Sequence, residues 1–532
     1  MKQIYVNGRV FTGDGAICEA FSVENGKFAA VGSAQAMLAA SAPEDSVQDL
    51  HGKFVCAGFI DSHMHVVSYG NAMRCCDLMK HTKSVEDILS ALRAFIQEEN
   101  IPEGHWVRGR GWNHDYFEGD HALPTRQQLD TVSDRHPICI VRCCGHAMVV
   151  NTMALKMLGI REGETFEGGA YDLETGAFFD TAMALVYGRL PQPTREEIKG
   201  LILRACKGLN AHGVTSAHTD DLCDFEHVPW QEVWEAFREL EKEGLLTVRI
   251  YEQSQLPDMK TLREFLDAGY KTGVGSDMLK IGPLKLLGDG SLGARTAYLS
   301  GEYADAPGEK GLAIFTQEQL DELIMTAHEN GMQIAVHAIG DGILDRILLS
   351  YEKAFAARPR PDHRSGIVHL QLTRPDQLEK MREMELHAYV QSIFLDYDIR
   401  IVRQRAGEKL ASTSYAFRTL KEMGVHVSNG TDCPVEMPHV MKCIQCAVTR
   451  RTLSGEGPYR PEEAISPEEA LLSYTAEGAH AAFEENIKGR IREGMLADFV
   501  ILSDSPLEVP ADQISRITVE KTVLGGKTVF ER

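Results

Sequence analysis

The densest group of chemistry-bearing residues is Gly58-Phe-Ile-Asp61-Ser-His63-Met-His65, two imidazoles two positions apart at the end of an apolar run. Alternate residues of a strand share a face, about 6.6 Å apart at the backbone, so both rings can reach one ion. On its own, His-x-His suits a polar surface or a hydrogen-bonded core just as well. Three more ligand-type residues stand in the same relation to an apolar run. His337 ends Gln333-Ile-Ala-Val-His, His369 ends Gly366-Ile-Val-His, and Asp432 follows Val425-His-Val-Ser-Asn-Gly-Thr. Each taken singly reads more readily as a core or loop group. Together they suit zinc or a similar borderline ion, with nitrogen and carboxylate ligands and a position open to water. Such an ion lowers the pKa of its water to about 7 and supplies hydroxide at neutral pH.

Lys285 lies inside another apolar run, Leu284-Lys-Leu-Leu-Gly288-Asp289-Gly290. A lysine facing a barrel interior is costly unless it is paired or discharged. Two readings stand side by side. The neutral amine adds CO₂ and becomes a carbamate bridging two metals, or the ammonium pairs with Asp289, which shares its strand face by parity. Cys433 adjoins Asp432 without a histidine partner in the sequence and reads as packing. Cys443-Ile-Gln-Cys446 is a lone CxxC, read as one buried helix face. The Gly-Asp-Gly loops at 288–290 and 340–342 let backbone approach a ligand but lack a phosphate-cradle pattern.

These residues need elements to bring them together. Eight strand-like runs alternate with helical stretches: Phe54–Ile60, Gly213–Ala217, Leu246–Tyr251, Leu284–Leu287, Gln333–Val336, Gly366–Val368, Ala388–Gln391 and Val425–Ser428. That pattern predicts an α/β fold, a (β/α)₈ TIM-like barrel over 53–485, with the ligand-type residues at its carboxyl end. The long gap after the first strand carries its own helix and strand signals, so an inserted subdomain is expected at about 72–190. Short strands and Asn-Gly turns at both ends of the chain predict one discontinuous β-sandwich domain, 1–52 plus 486–532, because a lone hairpin is marginal.

The insertion is the expected lid and pocket wall, with Trp112, His114, His146 and Asn151 as substrate-contact candidates beside Asp289. Arg403, Arg405, Tyr415 and Arg418 follow the seventh strand. They read as a carboxylate clamp or, more simply, as a solvated helix face.

With 77 acidic and 55 basic side chains the net charge is −22, which argues against nucleic acid or an anionic membrane as partner. No apolar run approaches a membrane helix, and the start has no apolar signal region. The 12 cysteines are scattered and read as reduced thiols in a cytoplasmic protein. A small-molecule substrate is the expected partner, and a homodimer is allowed.

The His-x-His, the strand-four lysine, the single histidines on strands five and six and the aspartate after strand eight resemble the amidohydrolase superfamily. Several segments resemble its N-substituted formamide deformylase branch, which carries a large insertion after strand one. These are Gly111-Trp112-Asn-His, Leu123-Pro-Thr-Arg-Gln-Gln-Leu-Asp130, Gly145-His146 with Asn151, Gly288-Asp-Gly-Ser-Leu-Gly293, His337-Ala-Ile-Gly-Asp341 and Gly489-Arg-Ile-Arg-Glu-Gly-Met-Leu-Ala-Asp498. The resemblance implies His63 and His65 on one metal, a carboxylated Lys285 bridging, and His337 with His369 on a second metal. Asp432 is implied as metal ligand and general base. One or two divalent ions, zinc foremost, follow from it. So does hydrolysis by metal-activated hydroxide of a C–N bond other than a peptide bond: amide, formamide or cyclic amide. The alternatives are a mononuclear deaminase of a heterocycle and a non-catalytic barrel used as a binding module. Met495, Thr431 and Asp180 depart from the branch's usual Lys, Ser and Glu, and the last puts shared specificity in doubt.

Overall fold

A computed structural model describes residues 2–143, 146–161, 163, 169–225 and 227–532. Eight strands form one parallel sheet: β1 (Phe59–Met64), β2 (Val214–Thr219), β3 (Arg249–Gln255), β4 (Leu279–Leu287), β5 (Ile334–Ala338), β6 (Gly366–His369), β7 (His387–Val390) and β8 (Val427–Asn429). Each pairs in parallel with the next. The two edges meet where Asp432 N donates to His63 O (2.9 Å) and His65 N donates to Cys433 O (2.8 Å). Asp61 fastens the same seam by accepting from Thr431 N (3.0 Å) and Thr431 Oγ1 (2.5 Å). The result is a nearly closed barrel. Its strands are buried on both faces, as covered parallel sheets require. Helices such as Arg195–Ala211, Gln317–Glu329 and Asp341–Ala357 run between them. Thr316 and Gln319 close a reciprocal capping box at the start of the second of these.

Most strands shift by a few residues from their expected limits, the fourth starting as early as Leu279, and two of the differences have a clear cause. The run Phe54–Ile60 is split at Gly58: Phe54–Ala57 joins a different sheet, and β1 starts at Phe59. A Cβ at Gly58 would stand 2.2 Å from Thr215 Oγ1, so only glycine allows this passage. The third strand runs on to Gln255 because its polar residues find buried partners, Gln253 on His63 and Glu252 on the Asp221 amide.

Segments from both ends of the chain share a six-stranded sheet. Phe54–Ala57 pairs with Arg9–Phe11 on one side and Phe499–Leu502 on the other. A four-stranded sheet adds Gln3–Val6, Ala20–Glu24, Lys27–Gly32 and Ser46–Asp49. Tyr5, Phe21, Phe28 and Phe499 fill a common core with Met495. The terminal segment is tied to β3 by a buried fork: Arg249 Nε donates to Asp498 Oδ2 (2.6 Å) and Nη2 to Oδ1 (2.9 Å). Residues Gly70–Thr194 form a separate compact unit with its own six-stranded sheet and core. Among the described residues no helix is long and apolar enough to cross a membrane.

Candidate metal centre

The carboxyl ends of the barrel strands carry one continuous run of contacts, from Lys285 through Asp220, His65, Asp432, His63 and His369 to His337. Lys285 Nζ lies 2.8 Å from Asp220 Oδ2, and Asp220 Oδ1 lies 2.5 Å from His65 Nδ1. Asp432 Oδ1 stands 3.0 Å from His65 Nε2 and 3.3 Å from His63 Nε2. The His63 and His369 ring centres are 5.4 Å apart, and His369 and His337 are 4.4 Å apart. Two sets of ligand atoms converge within 4.8 Å: His63, His369 and Asp432, and His63, His65 and Asp220. His337 stands beside the first set rather than within it.

Local backbone accounts for much of this placement. His369 and Asp432 adopt left-handed φ of 73° and 58°, sparsely populated for residues with a Cβ, at a cost of about 1–3 kcal/mol each. Gly430 precedes Asp432 by two residues and packs on the β1 backbone. A Cβ there would meet His63 N at 2.6 Å and His63 O at 2.7 Å.

Amides and a carboxylate set the imidazole tautomers. Gln253 Nε2 donates to Ser62 O (3.1 Å), which turns its oxygen to accept from His63 Nδ1 (2.7 Å). Gln391 likewise donates to Tyr389 O (3.3 Å) and accepts from His369 Nδ1 (2.7 Å). His337 Nδ1 donates to Asp289 Oδ1 (3.0 Å). Each of these rings therefore keeps Nε2 as a lone pair, the arrangement that orients metal-ligating histidines.

Electrostatics sharpen the picture. Burial, reinforced by the Lys285 charge, lowers His63, and burial with His337 pushes His369 well below the ordinary histidine value. Burial alone would raise Asp432, but the imidazoles of His63 and His65 beside it hold its carboxyl well below the usual range. Burial likewise opposes ionisation of Asp220, yet the charges of His65 and Lys285 prevail and lower it. Burial works against the imidazolium of His65 too, but Asp220 and Asp432 overcome it and raise His65. Burial pushes Asp61 up to about 7 despite its bonds from Thr431 and His63. A neutral His63 lone pair thus faces an ionised Asp432 oxygen at 3.3 Å with no proton between them. Asp220 Oδ1 also has no aligned donor, although His65 Nδ1 is so near. Converging lone pairs of this kind need a cation, and the nitrogen and carboxylate set fits a borderline divalent ion.

Asp220 is the member the sequence reading missed. It directly follows β2, Val-Thr-Ser-Ala-His-Thr, a buried strand with only two apolar residues, so the apolar-run signal that marked His337, His369 and Asp432 is weak there. The expected Lys285–Asp289 pair is replaced by Lys285–Asp220. All four remaining bonds to Asp289 come from elsewhere, His337 Nδ1 and the amides of Tyr298, Ile339 and Gly340.

The other candidates have partners of their own. Arg418 donates to Ala464 O (2.8 Å) and lines a cavity with Val425 and His426 at the amino end of β8. Arg403 pairs with Glu408, Arg405 with Asp305, and Tyr415 with Asp398. In the separate unit, Trp112 is fully buried, and His114 Nδ1 accepts from Arg142 (3.3 Å). His146 is exposed and bonds Asp180 (3.1 Å). Asn151 is buried, capping the helix Thr152–Leu158 and bonding Ile138 N, Ser133 O and His136 O. Cys433, Cys443 and Cys446 are buried free thiols.

A model of the amidohydrolase family matches residues 46–530. YtcJ of Bacillus subtilis (strain 168), whose name places it among amidohydrolases, is 30% identical, with 100% of each chain covered. The N-substituted formamide deformylase of Arthrobacter pascens is 22% identical over 99% of this chain and 98% of its own. The crystal structure of an uncharacterized metal-dependent hydrolase from Pyrococcus furiosus is similar with a TM-score of 0.80 and 28% identity, covering 96% of this chain and 100% of that one. From residues 46 to 530, then, sequence and architecture agree: the chain belongs to the amidohydrolase family.

Proposed function

We propose that this protein is a metal-dependent amidohydrolase that cleaves a C–N bond of a small molecule: an amide, formamide or cyclic amide. One observation carries the reading. The neutral His63 and His369 lone pairs and the ionised Asp432 carboxylate converge at the carboxyl end of the barrel, where barrel enzymes work. His63, His369 and Asp432 would hold one divalent ion, with zinc the first choice, and His65 with Asp220 would extend the set toward a second. When bound, the ion supplies Lewis acidity and an acidified water. Asp432 is kept ionised by His63 and His65, and its carboxylate takes a proton from water and returns it to the leaving nitrogen. Gln253, Gln391 and Asp289 hold three rings in register. The name of the Arthrobacter pascens relative supports N-formyl compounds as the first substrates to try.

A second reading is favoured by the Lys285–Asp220 pair. An ammonium already matched to a buried carboxylate has little reason to become a carbamate, which suits a mononuclear site and a deaminase releasing ammonia from a heterocycle. The first reading instead has Lys285 carboxylated and bridging two ions.

Chelator-stripped protein reloaded with Zn²⁺ should release amine from a member of a panel of N-formyl, N-acyl and cyclic amides, and Asp432→Asn should abolish the release. Ammonia from aminoheterocycles alone, with one ion per chain, would favour the deaminase. Reloaded protein inert toward both panels would defeat the enzymatic reading.

A further inference from the structure

The helix Ala476–Ala481 packs against the amino end of the barrel. Gln333 Nε2 donates to Ala481 O (2.9 Å), and Ala481 shares a core with Ala335, Val368 and Tyr389. A Cβ at Gly478 would stand 2.8 Å from Ile60 Cγ2. Just before the helix, Tyr474 O accepts from Ile60 N (2.7 Å) and Tyr474 Oη donates to Gly430 O (3.0 Å), so the segment leans on the seam between β1 and β8. A stack of imidazoles fastens the helix to the turn that opens β8. The His426 and His480 rings lie face to face, with centres 3.7 Å apart and planes at 17°. His387, the first residue of β7, runs parallel to both, its ring centre 6.3 Å from His426 and 6.0 Å from His480.

The stack suits a neutral His480 and nothing else. His426 Nδ1 is matched by Glu477 Oε2 (2.8 Å), but His480 Nδ1 is shut off from water with no hydrogen-bond partner, as is His387 Nδ1. An imidazolium carries a proton on both nitrogens. Charging His480 therefore puts a positive N–H where neither acceptor nor water reaches it, which costs far more than a bare lone pair. The nearby carboxylates are already taken: Glu477 by His426, and Asp362 and Glu485 by Arg364. Glu385 is exposed across the cavity that the rings line. Arg364, whose Nη1 donates to the His480 carbonyl, and Arg382 across the cavity oppose a further charge. His363 on the same wall accepts from Ser365 N (3.0 Å) and donates to Met384 O (3.0 Å), so it too is neutral. On the His426 side, Arg418 and Lys421 are set against Glu422 and Glu469, two charges of each sign.

We propose that the His426–His480 stack is an acid-sensitive latch: it clamps the helix Ala476–Ala481 to the barrel while His480 is neutral, and a proton taken up by His480 releases that helix. The released ring hydrates from the adjoining cavity of about 390 Å³. Burial, with the neighbouring His426, holds His480 down to about 4 in the folded protein. The ordinary histidine value is about 6.5, so the clamp is complete above that pH and is lost as pH falls toward 4. Ordinary carboxylates titrate lower, at about 4, and do not produce a change in this window.

Hydrogen exchange of the full-length protein, with each rate corrected for the intrinsic effect of pH, tests the latch. Amides of the helix Ala476–Ala481 should lose about tenfold or more in protection between about pH 7.5 and about pH 5, while the histidine-free helix Trp230–Lys242 keeps its own. His480→Phe leaves a ring on the stack and removes the proton; His480→Gln removes both. Protection at neutral pH should survive in the first and fall in the second, and neither should show the acid drop. A purely structural role would lower protection at every pH in both variants and leave the drop in place, which would overturn the latch. So would a wild-type helix that stays protected at about pH 5, a result that needs no variant to fold. Exchange is read without substrate, so the outcome stands whether or not the carboxyl-end centre proves catalytic.

Discussion

Lys285 and Asp220, 65 positions apart, meet as a fully buried ion pair at 2.8 Å. The pair sits at the end of the metal cluster, so what happens to Lys285 also decides the charge on Asp220. Lys285→Met leaves Asp220 buried with His65 as its remaining cation, and loss of one partner of a buried pair costs up to about 3–5 kcal/mol. Urea unfolding of the metal-free protein should show that loss. Restoration of wild-type stability by the double change Lys285→Met, Asp220→Leu would confirm that charge rather than packing is at stake. A Lys285→Met protein as stable as wild type would show that the pair carries no weight.

Gln253 and Gln391 are expected to act through the rings they hold. Gln253→Ala removes the acceptor that keeps the His63 proton on Nδ1. Changes of this kind lower metal affinity about 10–100-fold. Chelator competition should register that drop for Gln253→Ala and Gln391→Ala, with Tm of the metal-free forms little changed. Unaltered zinc affinity in both variants would mean that the tautomers are set elsewhere.

Asp498→Ala strands Arg249, both groups being almost inaccessible. The expected cost is again about 3–5 kcal/mol. The fork joins the terminal sheet to β3, so near-ultraviolet circular dichroism and proteolysis should report loosening of the terminal segments before the barrel melts. Simultaneous, unshifted melting of both would argue against this tie.

Glu484 predicts a specific acid limb. Burial raises its carboxyl, but Lys488 and Lys280 outweigh burial and bring it down to about 2. A depressed folded pKa means that its contribution is complete above the unfolded value, about 4.3, and is lost as pH falls toward 2. The contribution is about 3 kcal/mol, and stability should climb across that window. Glu484→Gln should lower stability at neutral pH and flatten the climb. An identical acid profile in the variant would rule the group out.

Much of the barrel was readable because its evidence is local. Strands buried on both faces are runs of Val, Ile, Leu and Ala, and His337, His369 and Asp432 end or directly follow such runs. Where polar residues interrupt a strand, as at Glu252 and Gln253, the local pattern fails, because their partners lie on other strands. Asp220 lacked a comparable mark, because the strand it follows, Val214–Thr219, is buried yet mostly polar.

The order of residue types along the chain was enough to determine parallel strands with a helical crossover habit and a set of nitrogen and oxygen donors at their ends. Only the tertiary structure decided which donors face one another. The shared centre depends on the seam between β1 and β8, on Gly430 lying against the His63 backbone, and on Gln253 and Gln391 selecting the imidazole nitrogen that stays bare. Those are contacts between segments up to several hundred residues apart. Side-chain periodicity encodes which face a residue takes, but it carries no information about what stands across from that face.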